Sequence, residues 1–236
     1  MSPRGRRARA AALQEIAAQV VECRKCPRLV AWREAAAAAP PRRYAGETYW
    51  ARPLPGFGDP DAGVLVVGLA PAAHGGNRTG RIFTGDRSGD FLFSALHRAG
   101  FANQPTSEHR DDGLELSDAY VAAVNRCPPP GNKPTPLERD TCLPYLVSEL
   151  ETLDLVRVIV PLGAFAWDGA LRAASALRHR AKPRPAFGHG KEATVGPWTL
   201  LGAFHPSQQN TFTRKLTPEM LDEVFSRARD LADGSV

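Results

Sequence analysis

The chain has 236 residues, 43% of them hydrophobic and 23% charged, which is enough for one substantial buried core. Its formal net charge of +5 suits a polyanionic partner without demanding one. No apolar run approaches the roughly 18 residues of a membrane span, since residues 64–73 are short and contain Pro71. The basic start is followed by an Ala-rich amphipathic stretch with Gln14 and Glu15, unlike a signal peptide. The expectation is therefore a cytoplasmic, monomeric single domain over residues 1–236, with a basic, flexible N-terminus over about residues 1–8.

Residues 9–22 read as a helix, because Leu13, Ile16, Ala17, Val20 and Val21 fall on one stripe. Residues 39–63 are rich in Pro, Gly and Arg with scattered aromatics and read as ordered irregular loop. GVLVVG at residues 63–68 is a β-branched run, the pattern of a parallel strand buried on both faces. A Gly-rich segment follows to Gly89, and Ser88 is expected to cap a helix carrying Leu92, Ala95, Leu96 and Ala99 before Gly100 stops it. Residues 119–124 and 156–162 read as buried strands, separated by a helix that Thr135, Pro136 and Glu138 open with a capping box. Residues 165–177 form another helix, residues 199–204 the last strand, and Thr217 with Pro218 starts a final helix. Alternating strands and helices imply an α/β fold, a three-layer α/β/α arrangement with a mainly parallel central sheet whose ligands sit at the carboxyl ends of the strands.

Cys23 and Cys26 form a CxxC pair, and Cys127 and Cys142 complete a set of four that uses every cysteine in the chain. Four thiolates suit a 4Fe-4S cluster or a structural zinc site. Zinc sites usually show two short-spaced pairs and only one is present here, so the spacing favours iron while leaving both open.

The loop from Gly68 to Gly89 lacks both GK[ST] and GxGxxG, so no nucleotide cofactor is expected. At the end of the last strand stands His205, followed by Pro206, Ser207, Gln208, Gln209, Asn210 and Thr211, then Arg214 and Lys215. A histidine at a strand end is commonly structural; the amides, hydroxyls and two cations beside this one are groups that contact phosphate and groove edges.

Three segments together resemble the iron-sulfur uracil-DNA glycosylases, most closely the branch called family 5 or type B. They are GLAPA from Gly68 with GRIFTG from Gly80, NRCPPPGNKPTP from Asn125, and HPSQQNT from His205. The resemblance implies a 4Fe-4S cluster on Cys23, Cys26, Cys127 and Cys142, and DNA as partner, double-stranded with a flipped base or single-stranded. It implies base excision, with Gly68, Leu69, Ala70, Phe83, Asn125 and His205 around the base and Phe83 stacking on it. Residues Ser207, Gln208, Gln209, Asn210, Arg214 and Lys215 are the expected DNA contacts. His205 can donate a hydrogen bond to the departing base as negative charge builds on it.

The chain departs from relatives at Ala70, where classical uracil-DNA glycosylases carry aspartate, and at Leu69, which replaces an acidic residue of the other iron-sulfur branch. Without that base, Asn77 and Asn125 are the candidates for holding water, and Asn77 has an equal reading as a loop-shaping residue. The missing carboxylate also supports an alternative reading, a non-catalytic iron-sulfur nucleic-acid-binding module.

Overall fold

The computed structural model describes residues 3–234 and has a six-stranded sheet at its centre. Four strands are mutually parallel in the order β3 (Ala119–Ala123), β2 (Val64–Gly68), β4 (Val158–Pro161) and β6 (Trp198–Leu201). Short antiparallel strands close both edges, β1 (Phe57–Gly58) beside β3 and β5 (Glu192–Val195) beside β6.

The β2 run shows why such a sheet forms. All five residues are buried, because neighbours pair with both of its edges and helices cover both of its faces. Side chains alternate across a strand, so Val64 and Val66 pack on one layer while Leu65 and Val67 pack on the other. The first layer is α4 (Arg87–Arg98) and α8 (Pro218–Asp233), with Leu92, Phe93, Leu96, Leu221 and Phe225 at the contact. The second is α1 (Pro3–Val21), α5 (Pro136–Thr152) and α6 (Ala164–Ala176), contributing Leu13, Leu146, Leu150, Trp167 and Ala170. The three-layer α/β/α fold expected from the alternation is present. No helix of the described residues is long and apolar enough to cross a membrane.

Several boundaries differ from the sequence reading. Helix α1 begins at Pro3, so from that residue the basic segment expected to be a flexible tail is helical. Ion pairs hold it: Arg6 reaches Asp59 at 2.6 Å and Asp61 at 3.0 Å, and Arg9 reaches Asp154 at 3.0 Å. A second helix, α2 (Pro27–Ala38), lies where none was expected; Pro27 starts it from the first-turn position, where the missing N–H is harmless. Asp86, not Ser88, caps α4, accepting from the Ser88 and Gly89 amides at 3.0 Å each. The last strand stops at Leu201, with one further bridge from Leu162 to Ala203. The capping box of Thr135 and Glu138 on α5 is formed as expected. Two short helices complete the chain, α3 (Gly76–Thr79) in the Gly-rich loop and α7 (Gln208–Phe212) after His205.

Candidate active site

The carboxyl ends of β2, β3 and β6 bring the candidate residues together. At Gly68 a Cβ would stand 2.7 Å from Cε2 of Phe83, so only glycine lets that ring lie against the end of β2. Phe83 is buried and holds φ at 52°, a left-handed conformation that costs a non-glycine residue about 1 kcal/mol or more. The neighbouring Arg81 holds the loop in that shape. Its Nε donates to Thr84 Oγ1 at 3.0 Å, one terminal nitrogen to Arg110 O at 3.2 Å, and the other to Ser107 Oγ at 2.9 Å and Asp112 Oδ2 at 2.7 Å. Desolvation pushes the Asp112 carboxyl up, but hydrogen bonds from Arg81 and from the Leu114 and Glu108 amides outweigh it and bring its pKa to about 2.

The His205 ring lies 5.9 Å from that of Phe83, tilted by 38°. Burial lowers its pKa to about 4, so the imidazole is neutral at neutral pH and can donate one N–H. Its carbonyl accepts from Asn210 Nδ2 at 2.8 Å, and the Asn210 backbone N–H donates to the Ser207 hydroxyl at 3.4 Å. Ser207 and Asn210 thus fold α7 back onto His205.

Asn125 follows β3, and its backbone N–H donates to Leu69 O at 3.0 Å, which places it beside the Gly68 end of β2. Its side chain is fully buried, and neither amide atom has a partner. Asn77 is also fully buried; its Nδ2 donates to Arg33 O at 3.1 Å and Ala73 O at 3.3 Å, while Oδ1 has no partner. An unpaired buried polar atom costs about 1–3 kcal/mol, so these three atoms weigh against stability, as do the unpaired Nε atoms of Arg33 and Arg126.

The four cysteines line one small cavity, together with Lys25, Leu29, Val30, Pro53, Arg126 and Thr141. Arg33 donates to Cys127 Sγ at 3.1 Å and the Arg126 amide to Cys142 Sγ at 3.3 Å. Burial pushes the Cys127 thiol up to about 11 and the Cys142 thiol up to about 12, against the pull of those two arginines. Among the described residues, no group of three or more His, Cys, Asp or Glu side chains is arranged to hold a single metal ion.

The remaining candidates lie further out. Gln208, Gln209, Arg214 and Lys215 are exposed, on α7 and the turn after it rather than on an open loop. Lys215 Nζ sits 4.9 Å above the Phe204 ring. Sequence reasoning missed the supporting residues, namely Arg33, the Arg81–Asp112 pair, and Arg126 with Glu149, an ion pair in which both side chains are 1% exposed. The available signal was position, since Arg126 stands between Asn125 and Cys127 and Arg81 lies within the GRIFTG motif.

A buried aromatic ring, a neutral histidine and an unpaired amide stand at the carboxyl ends of a parallel sheet, the place where α/β folds bind their ligands. The chain belongs to the uracil-DNA glycosylase superfamily: the family model described as Uracil DNA glycosylase superfamily matches residues 55–229. It is 52% identical over 225 residues to the Type-5 uracil-DNA glycosylase of Mycobacterium tuberculosis, covering 94% of this chain and 83% of that protein. Over 211 residues it is 51% identical to the Type-5 uracil-DNA glycosylase of Thermus thermophilus, covering 89% of this chain and 94% of that one. A Type-5 uracil-DNA glycosylase of Pyrobaculum aerophilum is 44% identical over 210 residues, covering 89% of each chain.

Proposed function

We propose that the protein is a DNA-repair glycosylase that hydrolyses the N-glycosidic bond of uracil in DNA and leaves an intact abasic site. The observation that carries this reading is the fully buried Asn125 amide, unpaired at both ends, in a chain of this superfamily; its backbone is tied to Leu69, next to the Gly68 against which Phe83 lies. A base flipped out of DNA offers what that amide lacks, a donor and an acceptor on one edge, and a face for Phe83. His205, neutral at neutral pH, donates its N–H to the base oxygen on which charge develops, an interaction stronger in the transition state than in the ground state. No carboxylate stands at Leu69 or Ala70, so water is oriented, not deprotonated, and Asn77 Oδ1 is the free acceptor for its proton.

The same pocket supports a broad base range. An apolar wall at Leu69 and Ala70 separates bases by shape at only about 1–3 kcal/mol, much less than a dedicated hydrogen-bonding pair. Single-step hydrolysis is supported by the lysines: Lys25, Lys133, Lys182, Lys191 and Lys215 are all exposed, and an exposed amine is not activated as a nucleophile. Arg214 and Lys215, with Ser207 to Asn210 between them and His205, are the proposed contacts to DNA phosphates and groove.

Cys23, Cys26, Cys127 and Cys142 fit a 4Fe-4S cluster. All four line one cavity, and four thiolates are the ligand set such a cluster takes. Bound there, the cluster supplies a cross-link between the start of α2, the loop after β3 and helix α5.

The test uses oligonucleotides containing uracil, hypoxanthine or ethenocytosine, scored for alkali-sensitive sites, with borohydride present in a parallel reaction. Uracil and at least one other base are released, and no covalent adduct is trapped. DNA binding without base release would instead favour the non-catalytic reading. Brown protein containing iron is expected; colourless protein with stoichiometric zinc would overturn the cluster.

A further inference from the structure

The connection from α6 to β5 carries charge of one sign. Between Asp168 and Glu192 stand Arg172, Arg178, Arg180, Lys182, Arg184 and Lys191, and no carboxylate. The nearby carboxylates are already taken: Asp168 and Asp140 are shared among Arg139, Arg172 and Arg184, and Glu192 pairs with Arg227. Arg178, Arg180, Lys182 and Lys191 are exposed and form no salt bridge among the described residues.

This connection is held against the body of the protein along its length. Running back beside α6, it ties Arg180 Nε to Ser175 Oγ at 3.1 Å, pairs Arg184 with Asp168, and receives the Trp167 Nε1–H at Pro185 O at 3.0 Å. It then meets the end of the last strand. The Phe187 and His189 rings lie 6.1 and 4.9 Å from that of Phe204, whose backbone N–H donates to His189 Nδ1 at 3.0 Å. Phe204 precedes His205 and carries Lys215 over its ring, so the connection joins the surface proposed above for DNA. Further back, Arg180, Lys182 and Arg184 line a cavity of about 150 Å³ with Leu171 and Ser175 and without an acidic side chain.

Helix geometry gives the depth of these cations. Gly163 lies against His205 and caps the start of α6; Asp168 and Ser175 are about 8 and 18 Å further down, at 1.5 Å per residue. The basic groups thus descend the side of the molecule from the carboxyl ends of the strands. A straight duplex lying across those ends passes above the lower ones. A duplex bent toward α6 brings its phosphates alongside them, and such contacts offset the cost of bending.

We propose that residues 180–191 form a basic track that takes the sugar-phosphate backbone flanking the flipped base and holds the duplex bent toward α6. The inference rests on DNA being the substrate, as proposed above. Arg180, its Nε spent on Ser175, keeps both terminal nitrogens for a phosphate, and guanidinium groups match phosphate oxygens in pairs. Contacts to phosphate position the duplex and carry no sequence information. The track therefore adds affinity for any DNA long enough to reach it and leaves base choice alone.

The test compares the wild-type protein with Arg180→Gln/Lys182→Gln on duplexes carrying a non-cleavable fluorinated deoxyuridine. Their arms extend about 4 or about 15 base pairs to each side, and at about 3.4 Å per pair only the long arms reach down the track. On the long duplex the salt dependence of binding should be shallower by about 2 in the variant, one phosphate contact per cation. On the short duplex the two proteins should match. Fluorophores on the ends of the long duplex should come closer together with the wild type than with the variant. Arg4→Gln/Arg7→Gln controls for net charge: both residues are exposed on α1 beside Arg6, which pairs with Asp59 and Asp61 ahead of β2, at the far end of the sheet. Its long-duplex slope should stay within about 0.5 of the wild type, because screening removes distant charges. Should Arg180→Gln lower the urea midpoint through loss of its bond to Ser175, Lys182→Gln/Lys191→Gln takes its place. Equal slopes and equal end distances overturn the track and leave its cations to an acidic protein surface. Equal losses on short and long duplexes, or with the α1 control, overturn it as a general effect of charge. Release of uracil from a cleavable long duplex is followed alongside. Wild-type protein that binds DNA and releases no uracil overturns the glycosylase reading, while the binding comparison still decides the track.

Discussion

Two groups of polar side chains invite comparison: the corner built by Arg81, Thr84, Ser107 and Asp112, and the amides of Asn77 and Asn125. Both regions bury polar side chains almost completely, yet they treat them in opposite ways. Every nitrogen of the Arg81 guanidinium donates to a partner, and Thr84 and Ser107 hydroxyls also meet at 2.7 Å. In the second group, Asn125 has no side-chain partner at all and Asn77 keeps a bare oxygen. Burial alone therefore does not distinguish scaffold from site. Satisfaction adds to it, because a closed network rigidifies the loop while a wholly unpaired amide such as that of Asn125 is open to a ligand; single unpaired Nε atoms also occur on the supporting Arg33 and Arg126.

The comparison can be broken at its closed end first. Asp112→Ala leaves the buried Arg81 charge without its counter-ion, a change worth about 3–5 kcal/mol of stability, read as a lower midpoint in urea. Loss below about 1 kcal/mol would show that the corner behaves like an exposed ion pair. At the open end, His205→Ala should lower single-turnover excision of every base by about 10²- to 10³-fold, with no more than a small change in that midpoint. Loss confined to one base would tie His205 to recognition and not to leaving-group stabilisation.

A gentler probe is pH. The unfolded His205 titrates near 6.5 and the folded one near 4, so the unfolded chain binds the extra proton between those values. The histidine's contribution is fully present above about pH 6.5 and is lost as pH falls through about 4, at most about 3 kcal/mol across the window. The same urea titration on His205→Ala should show a shallower fall over that range; an unchanged slope would place the titration elsewhere. The smallest effect belongs to the surface. Neutralising Arg214 and Lys215 should weaken binding to all DNA sequences alike and reduce the salt slope by about 2. An unchanged slope would move the phosphate contacts away from the turn after α7.

Much of the scaffold was legible because it follows from local rules. The β2 run is buried in full and the Thr135 box caps α5, since composition and spacing settle both. Asn125 and His205 are legible as motif residues at strand ends and Phe83 as a motif residue of the Gly-rich loop; the structure sets the Phe83 and His205 rings 5.9 Å apart and ties the Asn125 backbone to Leu69. What escaped was whatever depends on tertiary partners. Helix α2 hides behind Pro27 and an Ala-rich stretch with little periodicity, and with it went Arg33, whose burial no window of sequence reveals. Asn77 had two even readings because an amide's facing is set by carbonyls supplied from elsewhere in the chain. The basic start was read as a tail because charge marks a solvated segment, while Asp59 and Asp61, some fifty residues on, hold it as a helix.

The central claim is that the unpaired amide of Asn125 is kept for the flipped base. It is tested most directly by measuring unfolding free energy and single-turnover uracil excision on one variant, Asn125→Leu. A side chain of similar size that needs no partner should leave stability unchanged or raise it by about 1 kcal/mol or more, while excision falls by at least about tenfold. Lowered stability with excision intact would contradict the account, since Asn125 would then belong to the scaffold.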